Sequence, residues 1–103
     1  MDNTLCKKEE LSTEASAVRL REEHVFYGGM HLCYRLDAVT VGESVFFSLT
    51  VTHGSERVTL ALGEDVLFAG ECLRVLRDGA VTPVSAEEVL EDLRYVYKKE
   101  KKI

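Results

Sequence analysis

The stretch EEHVFYGGMHLCY, Glu22 to Tyr34, gathers two of the three histidines and one of the three cysteines of the chain. His24, His31 and Cys33 follow the spacing H-x6-H-x-C, and the first chemistry to consider is metal binding. A structural zinc site takes four ligands, usually with at least one close pair on a tight turn. Residues i and i+2 of a strand share a face, so His31 and Cys33 could chelate together. The remaining ligands would have to be His24, His53 or a carboxylate, because the sequence holds no second close pair. The plainer reading makes these polar-face strand residues that hold no metal or cofactor, and it is preferred.

Thiol catalysis is the second chemistry. It needs a thiol of lowered pKa with a base in reach. His31 stands two positions from Cys33, Arg35 shares its strand face, and Arg19 or Arg21 could lie across from it. Positive neighbours would favour the thiolate. No helix N-terminus backs Cys33, however, and no cleft is evident, so a catalytic residue is not expected. Cys72, in a helical pattern, reads as a small core residue. Carboxylate pairs occur at Glu22-Glu23, Glu87-Glu88 and Glu91-Asp92, but the first borders a turn and the others fit helix ends or solvent. No P-loop, dinucleotide fingerprint, nucleophile elbow or HExxH motif is present. Gly28-Gly29 precedes a strand rather than a helix, so it is no phosphate cradle.

The elements that must position these residues follow from hydrophobic period. Alternation over residues 14 to 23 predicts a first strand, with a connection from Glu22 to Gly29. In the second strand Met30, Leu32, Tyr34, Leu36 and Ala38 point one way, and His31, Cys33, Arg35 and Asp37 the other. Val41 to Ser44 is a turn. Val45, Phe47, Leu49 and Val51 then share the apolar face, and Phe46, Ser48, Thr50 and Thr52 the polar one. After the turn His53 to Glu56, Val58, Leu60 and Leu62 continue the apolar face.

Past Gly63 the period becomes helical. Val66, Ala69, Leu73 and Leu76 recur, Glu64 and Asp65 fall in the first turn, and Gly79 suits the left-handed C′ position. A second helix is signalled by PVSAEEVLEDL: Ser85 as N-cap, Glu88 completing a capping box, Val84 and Val89 as a hydrophobic staple. It should bury Val89, Leu90, Leu93, Val96 and Tyr97. The expected fold is α+β, a four-stranded antiparallel meander with two C-terminal helices packed on one face, in the order ββββαα. Residues 1–13 read as a flexible tail, 14–97 as one domain and 98–103 as a basic C-terminal tail.

Composition narrows the function. The chain has 103 residues, of which 46% are hydrophobic and 30% charged, as in one ordinary globular domain. Net charge is −5; Lys98, Lys99, Glu100, Lys101 and Lys102 sum to +3, leaving −8 on the rest. So acidic a body repels phosphate backbones, and nucleic-acid binding is not expected. No apolar run is long enough to span a bilayer, and no signal peptide is legible. Three separated cysteines in a leaderless chain suggest free thiols and a cytoplasmic location.

The order and spacing of three motifs resemble a family of short clostridial-type bacterial proteins catalogued as a domain of unknown function. These are a VRLREE strand, Tyr27-Gly28 opening the second strand, and Val81-Thr82-Pro83-Val84 leading into EEVLED. The resemblance covers residues 18 to 95. It implies a small intracellular bacterial protein and carries no activity, so it assigns no site.

The remaining feature is the polar sheet face, with Arg19, Arg21, His31, Cys33, Arg35, Phe46 and Arg57. Arginine and aromatics are enriched at interfaces and lysine depleted, and every lysine here lies outside the sheet. The expected function is a non-catalytic interaction or regulatory module that uses this face to bind a protein partner or a second copy of itself. The alternative is a small metal- or thiol-dependent enzyme or binder built on His24, His31, Cys33 and His53.

Overall fold

A computed structural model describes residues 16–101. Strands β1 (Ser16–Tyr27), β2 (Met30–Val41), β3 (Ser44–His53) and β4 (Glu56–Gly63) are followed by helices α1 (Val66–Asp78) and α2 (Pro83–Lys101). The strands form one antiparallel sheet in sequence order. The ββββαα architecture is as the periodicity predicts. Residues 1–13, expected as a tail, and residues 102–103 lie outside the described residues. The helix runs on to Lys101, so most of the terminal lysine run is helical.

Each connection inside the sheet is a two-residue turn, which fixes the register. Tyr27 pairs with Met30 around Gly28 and Gly29, whose φ angles are +56° and +81°. Positive φ at both central positions is what a type I′ hairpin requires, and glycine adopts it without steric cost. The loop expected over Glu22 to Gly29 is therefore only this pair. The strand expected to stop near residue 23 continues to Tyr27.

Register assigns the faces, because directly opposed residues of an antiparallel pair share one. On the helix side, Glu23, Tyr34, Val51 and Val58 form one row, and Arg21, Leu36, Leu49 and Leu60 the next. Leu32, Tyr34, Leu36, Phe47, Leu49, Val51, Leu60 and Leu62 are buried there against Phe68, Ala69, Cys72, Leu73, Leu76, Ala86 and Leu90 of the helices. Tyr34 sits fully inside and donates its hydroxyl to the Val81 carbonyl at 2.8 Å, which satisfies the one polar atom it brings into the core.

The β1–β2 ladder slips between Arg19 and Arg21: Arg19 faces Asp37, Arg21 faces Leu36, and Leu20 has no partner. This extra residue is a β-bulge, and it shifts the alternation of everything before it by one place. Arg19 and Arg21, two apart in the sequence, therefore do not share a face.

The helices correct three expectations of local chemistry. Asp65 is the N-cap of α1 rather than a first-turn residue, its Oδ1 accepting from the amides of Leu67 at 2.9 Å and Phe68 at 3.2 Å. Its Oδ2 accepts from Tyr97 Oη at 2.9 Å, which ties the start of α1 to α2. At the other end, Gly79 has φ −90°, and Ala80 takes the left-handed position with φ +48°. Ala80 N donates to Arg77 O and Val81 N to Leu76 O, the two bonds of a Schellman motif with Ala80 as C′. Glycine at 79 has another reason: a Cβ there would come within 3.3 Å of the Val75 carbonyl oxygen.

Helix α2 begins two residues before the expected cap, with Pro83 at its first position, where a missing N–H costs nothing. Ser85 lies inside the first turn, its amide donating to Thr82 O at 3.1 Å. Val84 is 77% exposed rather than stapled, Val96 is exposed where burial is expected, and Val66 at the head of α1 is exposed too.

Candidate functional site

The face of the sheet away from the helices is built from rows read across the ladders. His24, Cys33, Thr52 and Arg57 make one row; Glu22, Arg35, Thr50 and Thr59 the next; Arg19, Asp37, Ser48 and Ala61 a third. Phe26 and His31 pair at the hairpin end, and Ala17, Val39 and Phe46 close the far end. Of the residues expected on this face, Arg19, His31, Cys33, Arg35, Phe46 and Arg57 are there. Arg21 is not: it keeps the parity of Glu23 on the helix side, where Glu23 is ion-paired to both Arg21 and Arg77, and the bulge puts only Arg19 on the uncovered face. The candidate ligand His53 lies on the opposite face. It opposes Leu32 in the helix-side row, with its Nδ1 4.0 Å from Glu56 Oε1.

Two residues that the sequence left in a loop enter the face because β1 is longer than expected. Glu22 and His24 stand two apart on β1, and His24 lies directly across from Cys33. Glu22 Oε1 is bound by the Arg19 guanidinium. Its Oε2 accepts from His24 Nε2 at 2.9 Å and from the Cys33 thiol at 3.8 Å. His24 Nδ1 in turn lies 2.8 Å from His31 Nε2, and the His31 ring stacks on Phe26 with centroids 4.5 Å apart. One donor atom each from Glu22, His24 and Cys33 lie within 4.8 Å of one another. All three fall inside the motif Glu22 to Tyr34, but strand parity in the sequence brings together only His31 and Cys33.

No family model, curated protein or solved structure matches this chain. The resemblance to a clostridial-type family thus rests on its sequence motifs, and the site must be read from its own geometry.

The electrostatics work against an activated nucleophile at Cys33. Hydrogen bonding from Arg19, and then from His24, holds the Glu22 carboxyl below its usual range. Cys33 moves the other way. Partial burial, then the facing Glu22 charge, push its thiol up, and Arg35 and Arg19 only partly offset this. The expectation that arginine neighbours would favour a thiolate is reversed, because burial and then the facing Glu22 carboxylate outweigh them. Cys72, fully buried in α1, is pushed up to about 12 by burial, in keeping with a core role.

Elsewhere on the face the charges are paired locally. Arg35 Nε donates to Asp37 Oδ2 at 3.2 Å, and Thr50 and Thr59 share a 3.2 Å hydrogen bond across β3 and β4. Asp37 and Thr50 are buried although they stand on this face. Arg57 makes no ion pair among the described residues, and Phe46 is 38% exposed beyond the end of β4.

Proposed function

We propose that this protein is a non-catalytic binding module that docks a partner protein with an acidic surface on the sheet face its helices leave uncovered. The observation that carries this reading is the composition of that face. Arg19, Arg35 and Arg57 stand against only Glu22 and Asp37, with Phe46 at one end and Phe26 at the other. On a chain of net charge −5 this is a locally positive, aromatic-flanked surface, and arginine and aromatic side chains supply most anchor residues of protein interfaces. Hydroxyl side chains between the arginines offer hydrogen bonds along the ladder.

The raised thiol at Cys33 supports binding over nucleophilic catalysis, since the reactive thiolate is disfavoured at neutral pH. No helix among the described residues is long and apolar enough to cross a membrane.

Affinity capture with the full chain, wild type against an Arg57→Glu/Phe46→Ala variant, tests the reading. The wild type should retain a protein of acidic surface, released by moderate salt, and the variant should lose it while keeping its circular dichroism. Retention of the same protein by both would end the proposal. The second reading, metal chemistry at Glu22, His24 and Cys33, is favoured by the convergence of their donor atoms.

A further inference from the structure

Carboxylate, imidazole and thiol groups converge at one point of the sheet, and each has support behind it. Glu22 and His24 leave β1 on the same face, and Cys33 rises opposite His24 from β2, so neighbouring rungs of a rigid ladder carry the three donors. We propose that Glu22 Oε2, His24 Nε2 and Cys33 Sγ form a three-ligand site for Zn2+, with His31 as the residue that orients His24. The site stands independently of the docking reading.

The dimensions suit the ion. Zinc bonds of roughly 2.0 to 2.3 Å at tetrahedral angles set donor atoms about 3.3 to 3.7 Å apart. Cys33 Sγ is already 3.8 Å from Glu22 Oε2, and the 2.9 Å between Glu22 Oε2 and His24 Nε2 need open only slightly. A mixed oxygen, nitrogen and sulfur set on a d10 ion with no geometric preference of its own favours zinc over calcium or magnesium, which take oxygen ligands. His24 and Glu22 are exposed, so solvent reaches the fourth position and a water completes the tetrahedron.

What lies behind the donors fits as well. A metal-bound histidine donates its other N–H to a fixed partner, and His24 Nδ1 has one in His31 Nε2 at 2.8 Å. Phe26 also stacks on the His31 ring, with centroids 4.5 Å apart, which favours its present orientation. Glu22 Oε1 is taken by Arg19, which leaves Oε2 as the ligand.

The proton inventory balances. Bound through Nε2, His24 would carry its proton on Nδ1 and donate it to His31 Nε2. Cys33 releases its proton to solvent. Zn2+ with one carboxylate and one thiolate makes a neutral centre.

Equilibrium dialysis of the metal-stripped full chain against Zn2+, with Co2+ as the spectroscopic probe, tests the site. About one zinc per chain should bind with release of about one proton, and Co2+ should give tetrahedral d–d bands with a thiolate charge-transfer band. Cys33→Ser should abolish the charge-transfer band, and His24→Ala should remove binding. His31→Ala should weaken affinity roughly 10- to 100-fold with the Co2+ spectrum retained, as befits a positioning residue. Cys6→Ser, Cys72→Ala and His53→Ala should bind as the wild type, with circular dichroism confirming the fold of each variant. Absence of stoichiometric binding, an undiminished charge-transfer band in Cys33→Ser, or loss of binding in Cys6→Ser or His53→Ala would overturn the proposal.

Discussion

Glu22 and Glu23 are consecutive in the chain, yet their carboxylates act on opposite faces of the sheet. Glu22 turns to the uncovered face and gathers Arg19, His24 and Cys33. Glu23 turns under the helices and receives Arg77 from α1 at 2.9 Å, along with Arg21 beside it. A strand places neighbours on alternate sides, so one acidic pair both secures the edge strand to the helical layer and nucleates the polar cluster.

The Glu23–Arg77 pair should appear in the acid stability of the protein. Hydrogen bonds from Arg77, and then Arg21, hold the Glu23 carboxyl below its ordinary 4.5. A folded value below the unfolded one gives a contribution that is complete above about 4.5 and lost as pH falls through the lower folded value. Arg77→Met should therefore destabilise the protein at neutral pH, and its difference from wild type should narrow in acid. Urea midpoints taken at neutral pH and near pH 3 measure this; a difference independent of pH would show that the pair contributes no linkage.

The thiols should differ in reactivity. Cys33, half-exposed with a raised pKa, should alkylate more slowly at neutral pH than a free cysteine, and Glu22→Gln should speed it by removing the facing charge. Cys72, with its pKa near 12 and no exposure, should react only on unfolding. Mass spectrometry of iodoacetamide-treated protein over time separates the two sites. Fast labelling of native Cys33 would refute the assignment.

Capping should be worth energy at Asp65 and almost none at Ser85. Asp65→Ala removes both N-cap bonds and the Tyr97 tether, at a cost of about 1 to 2 kcal/mol. Ser85→Ala, an exposed change within the first turn of α2, should fall within about 0.5 kcal/mol of wild type. Thermal unfolding of the two variants compares them directly, and the reverse ranking would move the start of α2.

The Schellman turn after α1 invites a stabilising change. Ala80 holds φ +48°, a conformation that costs an L-residue on the order of 1 kcal/mol and glycine little. Ala80→Gly should raise stability by up to about 1 kcal/mol, less what the unfolded chain gains in entropy. A lower denaturation midpoint would contradict it.

The strand and helix inventory was legible because period is a property of the sequence: Leu32, Tyr34 and Leu36 alternate, while Ala69, Leu73 and Leu76 recur by turns. What was not legible depends on single-residue offsets. Gly79 and Ala80 exchange roles because the left-handed position is chosen by which carbonyls the last turn leaves free, not by which residue prefers it. Ser85 resembles a cap, but Pro83 can open a helix, and the helix starts there, two residues earlier. The metal cluster was half visible. His31 and Cys33 were placed on one face by parity, but Glu22 and His24 joined them only because Gly28-Gly29 closes a turn so tight that β1 runs its full length. His53, read as a turn residue, is instead the last residue of β3, and there it keeps the parity of Leu49 and Val51 on the helix side.

The unpartnered Leu20 gives β1 one residue of slack. A strand whose ladder is regular cannot lose a residue without inverting half of its side chains. Here the deletion of Leu20 would draw Arg19 and Arg21 into adjacent rungs, each still on the face it now occupies. The N-terminal part of this edge can thus shorten by one while the Glu22–His24–Cys33 cluster and the Glu23–Arg77 tie stay in frame.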